Sequence, residues 1–316
     1  ASCRHVWQIV YSLFFELSDK VHKKNESPNF LSESPSSRLE LMLKAPVPGL
    51  LLKLAGPNVI AITILTLVTF ADAWYVGQLG TAALASLALV FPFQTLMQMM
   101  SGGAIGGGVT SSVARALGSD DESKAASVLW HAIIIAVAMS IVFVVALGFF
   151  SRPVFALLGG TGEALNGAVD YARITFGAGL AIWMLYILSA ALRGMGDTVT
   201  PARAITVGSV VQVGLSGALT LGWGVFPDMG MVGPAVAMIV CQGGAAFYMA
   251  FHLAVGKARV HLRPHRLEWS IFKDILQVGG IGLFNSFFMA TTVIVVTGLI
   301  GRYGCLLYTS DAADEG

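Results

Sequence analysis

A chain of 316 residues that is 55% hydrophobic and 12% charged, with 36 glycines, has too little polar material to cover a surface facing water, which excludes an ordinary soluble domain. A formal net charge of +1, with no basic tract interleaved with aromatic residues, excludes a nucleic-acid partner. The cysteines Cys3, Cys241 and Cys305 are odd in number and far apart, so neither a disulfide framework nor a zinc knuckle is indicated.

Residues 1–45 read as a polar leader, cytoplasmic or foreign. Their apolar run, Val6 to Phe15, is too short to span a bilayer, lacks a small-residue cleavage site and is followed by SDKVHKKNESPNFLSESPSS. Seven apolar helices follow, at roughly 50–76, 82–107, 125–150, 171–192, 201–223, 232–255 and 275–300. Several of these runs reach the roughly 20 residues that a hydrocarbon core of about 30 Å requires. From Ala125 to Phe150 the one residue of acidic or basic type is His131. Basic residues orient the helices, because short cytoplasmic loops retain them. Arg4, Lys20, Lys23, Lys24, Arg38, Lys44 and Lys53 precede or open the first helix. The even-numbered loops hold Arg115, Lys124, Arg193, Arg203, Lys257, Arg259, Arg263, Arg266 and Lys273, against Arg152, Arg173 and Arg302 on the other side. The expected amino terminus is therefore cytoplasmic.

The seventh helix repeats the first at an offset of 224: LKLAGP at 52–57 meets LQVGGI at 276–281, and VGQLG at 76–80 meets IGRYG at 300–304. Six helices separate the copies, so both enter the membrane in the same direction, as in a transporter of two parallel six-helix lobes; chance similarity of two glycine-containing apolar helices is the alternative. The expected organisation is a six-helix lobe over 46–256, a basic cytoplasmic interlobe loop over 257–274, and the first helix of a second lobe over 275–304. Residues 305–316, CLLYTSDAADEG from Cys305, resemble translated sequencing-adapter read-through, and the natural frame is expected to continue past Gly304.

Three words in order carry a family signature: FADAWYVGQLGTAALASLAL across the first and second helices, GGAIGGGVTSSVARALGSDDESKAA leaving the second, and ALRGMGDTVTPARA between the fourth and fifth. Together they resemble the multidrug and toxic compound extrusion (MATE) family over about residues 46–304. The resemblance implies an all-α integral membrane fold, a six-helix lobe plus the first helix of a second, truncated from twelve. It implies a multi-pass protein of the inner or plasma membrane, monomeric, that is no enzyme and uses no cofactor. Such a protein would export drug-like, often cationic compounds in exchange for H+ or Na+ by alternating access, with membrane lipid around it.

The residues give each word a physical reading. Glycines of GGAIGGG, Gly106 among them, remove side chains where helices approach closely, since lipid offers no hydrophobic drive for association; a phosphate cradle is a poor reading without a preceding strand. Gly77 and Gly80 mark the first turn. In RGMGDTVTPA, Arg193, Gly194 and Asp197 are expected to close a tight turn, with Pro201 at the first position of the next helix. Asp72 reads as the sole acidic residue well inside a span, and a charged carboxylate is costly there, which makes it a candidate proton site. The resemblance assigns cation coupling to the position of Asp72 and bending of its helix to Pro57. The alternative is that Asp72, about 33 Å along the helix from Leu50, sits at the outer interface.

On the fifth helix Thr206, Ser209, Gln212, Ser216 and Thr220 share an arc of about 120°, facing either a cavity or another helix. The resembled family often carries an asparagine and an aspartate where Gln212 and Ser216 stand, so a two-acid cation site is not expected and coupling rests more on Asp72. Gln94, Gln98 and Ser101 share a face with Met97 nearby, as substrate contacts or as packing, and Asn285, Met289 and Thr292 align similarly on the seventh helix, where they would face the first lobe across a central cleft. Two other functions compete. A lipid-modifying enzyme would use His261 and His265, but Pro264 lies between them and no carboxylate cluster accompanies them. A flippase for lipid-linked sugars would want several basic residues in its cavity.

Overall fold

The structure, a computed structural model, describes residues 47–223, 226–255 and 265–314. The chain divides into units 1–56 and 57–316, and the second carries everything below; the leader expected over 1–45 lies outside the described residues. A backbone in hydrocarbon must satisfy its own N–H and C=O groups, so apolar runs of this length become helices. The first span is α1 (Val47–Gly77). The second is α2 (Thr81–Gln98), which passes through a π-helical stretch at Met99–Ile105 into α3 (Gly106–Gly118). The third is α4 (Glu122–Phe143), extended by π-helical turns over Val144–Phe149 and followed by the short α5 (Ser151–Leu157). Helices α6 (Gly162–Gly177) and α7 (Gly179–Gly194), bent by 48° at Ala178, form the fourth. The fifth is α8 (Val199–Leu221), the sixth α9 (Gly233–Ala254) and the seventh α10 (Trp269–Asp314).

Five runs among the described residues are long and apolar enough to cross a bilayer, and the bent pair makes a sixth; the described part of α1, Thr63–Gly77, is apolar but shorter. The chain is a multi-pass membrane protein. Three boundaries differ from expectation. The second span continues past 107 to Gly118, because the amphipathic VTSSVARALG still winds as a helix with Val109, Val113 and Ala116 buried. The fourth begins at Gly162 rather than 171, because Glu163, Asn166, Asp170 and Arg173 dilute the apolar signal without breaking the helix. Asp72 is thus not the sole acidic residue in a spanning helix, but Asp170 is exposed. The seventh begins at Trp269, which turns the last six residues of the expected interlobe loop into helix.

Polarity is inverted relative to a soluble protein. Phe149, Phe247 and Ile281 are more than 70% exposed, while Phe143 packs on Phe176 and Trp183, both at ring-centroid distances of 6.2 Å, inside the bundle. The glycine run does what close packing asks of it. A Cβ on Gly106 would fall 2.8 Å from the Ser101 carbonyl oxygen and 3.3 Å from Ala190 Cβ on α7. One on Gly194 would fall 2.8 Å from the Thr110 carbonyl oxygen and 2.9 Å from Val113 Cβ on α3. Gly80 opens α2 at φ 112°, whereas Gly77 meets nothing closer than Leu84 at 3.6 Å.

The RGMGDTVTPA turn is built differently from the expectation. Arg193 Nη1 donates to Ser189 Oγ at 2.6 Å, back along its own helix, rather than to Asp197. Main-chain bonds close the turn, Gly196 N–H to the Arg193 carbonyl and Asp197 N–H to the Leu192 carbonyl, each at 3.0 Å. Asp197 Oδ1 accepts the Val199 and Thr200 N–H groups at 3.1 and 3.0 Å and so caps α8. Pro201 therefore stands at the third helical position, not the first, where its missing N–H is still one of the four that a helix leaves unpaired. Pro57 lies within α1, and its side-chain surroundings are outside the described residues.

Gly194→Ala should lower the unfolding midpoint in detergent by the equivalent of about 1–3 kcal/mol, as overpacking against backbone does, while Gly103→Ala, with no atom within 4 Å of its Cβ, should stay within about 0.5 kcal/mol of wild type. Asp197→Ala, losing the cap, should cost about 1 kcal/mol in the same thermal melt.

Candidate functional site

Asp72 lies five residues before the end of α1, and Ser216 lies five residues before the end of α8. Ser216 Oγ donates to Asp72 Oδ1 at 2.5 Å and Gln212 Nε2 donates to Asp72 Oδ2 at 3.3 Å. Both donors come from one face of α8: Ser209, Gln212, Ser216 and Thr220 are buried, while Val207 and Val211 on the opposite face are 59% and 53% exposed. The polar stripe thus faces the interior, and Asp72 reaches it as a half-buried residue bonded across helices. Neither donor carries charge, so the net charge of this group is the carboxylate's own. Chemically, the arrangement can hold a proton on Asp72. With the Gln212 amide and Ser216 hydroxyl turned, it can also offer three kinds of oxygen to a hard cation.

The other singled-out residues are not gathered into one wall. Gln94 Nε2 donates to Met238 Sδ at 2.9 Å, tying the second span to the sixth. Met97 is fully buried in the core beside Gly179, so its role is packing and not cavity lining. Gln98 is half-buried, and Ser101 Oγ bonds back to the Met97 carbonyl at 2.8 Å. On α10 the phase turns Ser286 inward and leaves Asn285 and Met289 exposed.

Several buried polar groups carry no motif, and of those that follow the sequence reading singled out Thr220 alone. Thr175 Oγ1, Trp183 Nε1, Thr220 Oγ1 and Gln242 Oε1 are buried without a protein partner; Gln242, alone among apolar neighbours on α9, is the one whose composition signalled it. His131 is another, taken up below. His261 lies outside the described residues, and among those described no three His, Cys, Asp or Glu side chains cluster as metal ligands would.

Residues 57–216 match the MatE family model. The chain is 27% identical over 274 residues to the FAD transporter of Shewanella oneidensis, covering 83% of this chain and 60% of that one. It is 26% identical over 301 residues to the probable multidrug resistance protein NorM of Thermotoga maritima, covering 94% and 60%. A solved MOP superfamily transporter from Pyrococcus furiosus superposes with a TM-score of 0.72 at 26% identity, over 84% of this chain and 59% of that chain. The chain therefore spans about 60% of the length of the curated relatives it matches. With more than half of its residues inside the family match and its helices laid out as in a solved transporter, the chain belongs to the MatE family, whose members are transporters and not enzymes.

Proposed function

We propose that this chain is the first lobe, residues 46–256, and the opening helix of the second lobe of a secondary exporter, with its amino terminus in the cytoplasm and its spans in the inner or plasma membrane. It exports drug-like, often cationic compounds by alternating access, as a monomer surrounded by lipid, in exchange for H+ or Na+. The observation that carries this reading is the Asp72 carboxylate, bonded by Ser216 and Gln212 across two spanning helices. A charge left in a low-dielectric interior is retained where ion or proton movement needs it. Cargo and coupling ion are then held in turn by one polar interior, with Gln94, Gln98 and Ser209 as candidate cargo contacts.

The FAD transporter among the relatives raises an anionic dinucleotide as a second cargo class. Against it, Arg193 is the only Lys or Arg among the described residues that is as much as half-buried, and its guanidinium is bonded back to Ser189 on its own helix. The charge pattern favours cations and neutral compounds.

In a version extended to the length of the relatives, Asp72→Asn should abolish proton-driven efflux of a fluorescent organic cation from everted vesicles, with the protein still expressed and membrane-inserted. Unchanged efflux would overturn the role given to Asp72. Ser216→Ala, which removes one donor but keeps the carboxylate, should leave efflux measurable while moving its pH profile. Collapsing the proton gradient and the sodium gradient with separate ionophores identifies the coupling ion.

A further inference from the structure

His131 is fully buried in the third span, and both its ring nitrogens are bonded to backbone. Nδ1 lies 2.7 Å from the Ser127 carbonyl oxygen. A carbonyl only accepts, so Nδ1 carries the hydrogen. Nε2 lies 2.9 Å from the Glu268 main-chain N–H, which only donates, so Nε2 is an acceptor and the imidazole is neutral. Its ring also meets Phe272 edge-on, with centroids 4.7 Å apart.

Glu268 is the residue immediately before α10, and its carbonyl already accepts from Ile271 and Phe272 N–H at 3.1 and 3.4 Å, as the cap residue of that helix does. The N–H of a cap residue is left over when the helix forms, and a glutamate of the same helix commonly takes it up. Here an imidazole from another span takes it up instead. His131 thereby fixes the point at which the seventh span starts against the third, with Ile271 and Ile275 buried beneath the contact.

The geometry points to a proton-sensitive clasp: His131 holds the entry of α10 onto α4 in its neutral form, and a second proton, on Nε2, opens it. Protonation would set an N–H against the Glu268 N–H, donor against donor, while the Ser127 bond stayed in place. The titratable and charged side chains on the elements packed here are Glu122 and Lys124 on its own helix, Glu163, Asp170, Tyr171 and Arg173 on α6, Tyr186 on α7, and His265, Arg266, Glu268, Lys273 and Asp274 around the start of α10. Arg115 is on α3 and Arg193 on α7. Both hydrogen bonds of the imidazole go to main-chain atoms, so the clasp responds to the charge of the ring itself. The inference does not rest on the transport reading, because it concerns only the junction between spans.

The test is hydrogen–deuterium exchange of the purified chain in phospholipid nanodiscs, followed by mass spectrometry. Protection factors at residues 268–272 are compared, after correction for intrinsic rates, between about pH 8 and about pH 5.5. Wild type should lose protection at the lower pH by about tenfold, the scale of one buried hydrogen bond, while peptides within α8 and α9 hold theirs. His131→Phe keeps an aromatic ring beside Phe272 but has no acceptor, and should be unprotected there at both pH values. His131→Gln offers an amide oxygen and should restore protection without its pH dependence. Wild-type protection that ignores pH, or a His131→Phe profile equal to wild type while α8 and α9 remain protected, would overturn the clasp. If His131→Phe loses protection in α8 and α9 as well, the wild-type pH comparison alone decides.

Discussion

A bilayer core supplies no water to a polar group, and that constraint orders this molecule more than any single contact does. Asp72 feels it most, since a lone carboxylate among apolar helices has to find donors inside the bundle. It finds them on α8, and two bonds from one face of that helix fix both the level and the rotation at which α1 and α8 meet. The weaker polar groups obey the same constraint by other means. On exposed faces, Thr63, Thr69, Thr291 and Thr292 fold their hydroxyls back onto the carbonyl four residues earlier, so each is satisfied without a neighbour.

With hydrocarbon on the outside, apolar side chains gain nothing by turning inward, and helices associate through close contact instead. Gly106 and Gly194 let α3 and α7 approach until backbone touches side chain. A threonine hydroxyl reinforces the same crossing, where Thr110 Oγ1 donates to the Ala190 carbonyl at 2.9 Å. Large aromatic residues then divide by position: Trp183 and Phe176 fill the centre, and Phe149 and Phe247 face outward.

Much of this was legible in the sequence because both signals involved are local. Runs of apolar residues mark spans, so six of the seven expected are long and apolar enough among the described residues, counting the bent pair as one, and the spacing of Ser209, Gln212, Ser216 and Thr220 marks a face. The pairing of that face with Asp72 was suggested by a family resemblance, and the distances come from the fold. Boundaries failed where a helix is amphipathic rather than apolar, as at Gly162–Arg173 and past Ile105. Arg193 and Asp197 do bound the expected turn, but through main-chain groups, and the Asp197 carboxylate goes to backbone N–H groups of α8, a partner that the motif does not name. His131 went unread for a different reason: a single histidine in an apolar run carries no spacing, and its partner lies 137 residues away.

On the proposed reading, a site with one carboxylate and two neutral donors behaves differently from one with two acids. A hydrogen bond to a charged group contributes about 1.5–3 kcal/mol and one between neutral groups about 0.5–1.5 kcal/mol. Neutralising Asp72, by a proton or by a bound cation that draws the Gln212 and Ser216 oxygens to itself, therefore weakens the tie between α1 and α8 by about 1–3 kcal/mol. That is the size of coupling energies that link one ligand to another. Both donors belong to a single helix, so the loss falls on one interface and is not spread over the bundle. The consequence is a first span that is held when Asp72 is charged and released when it is not, which is what an exchange of ion for cargo requires of it.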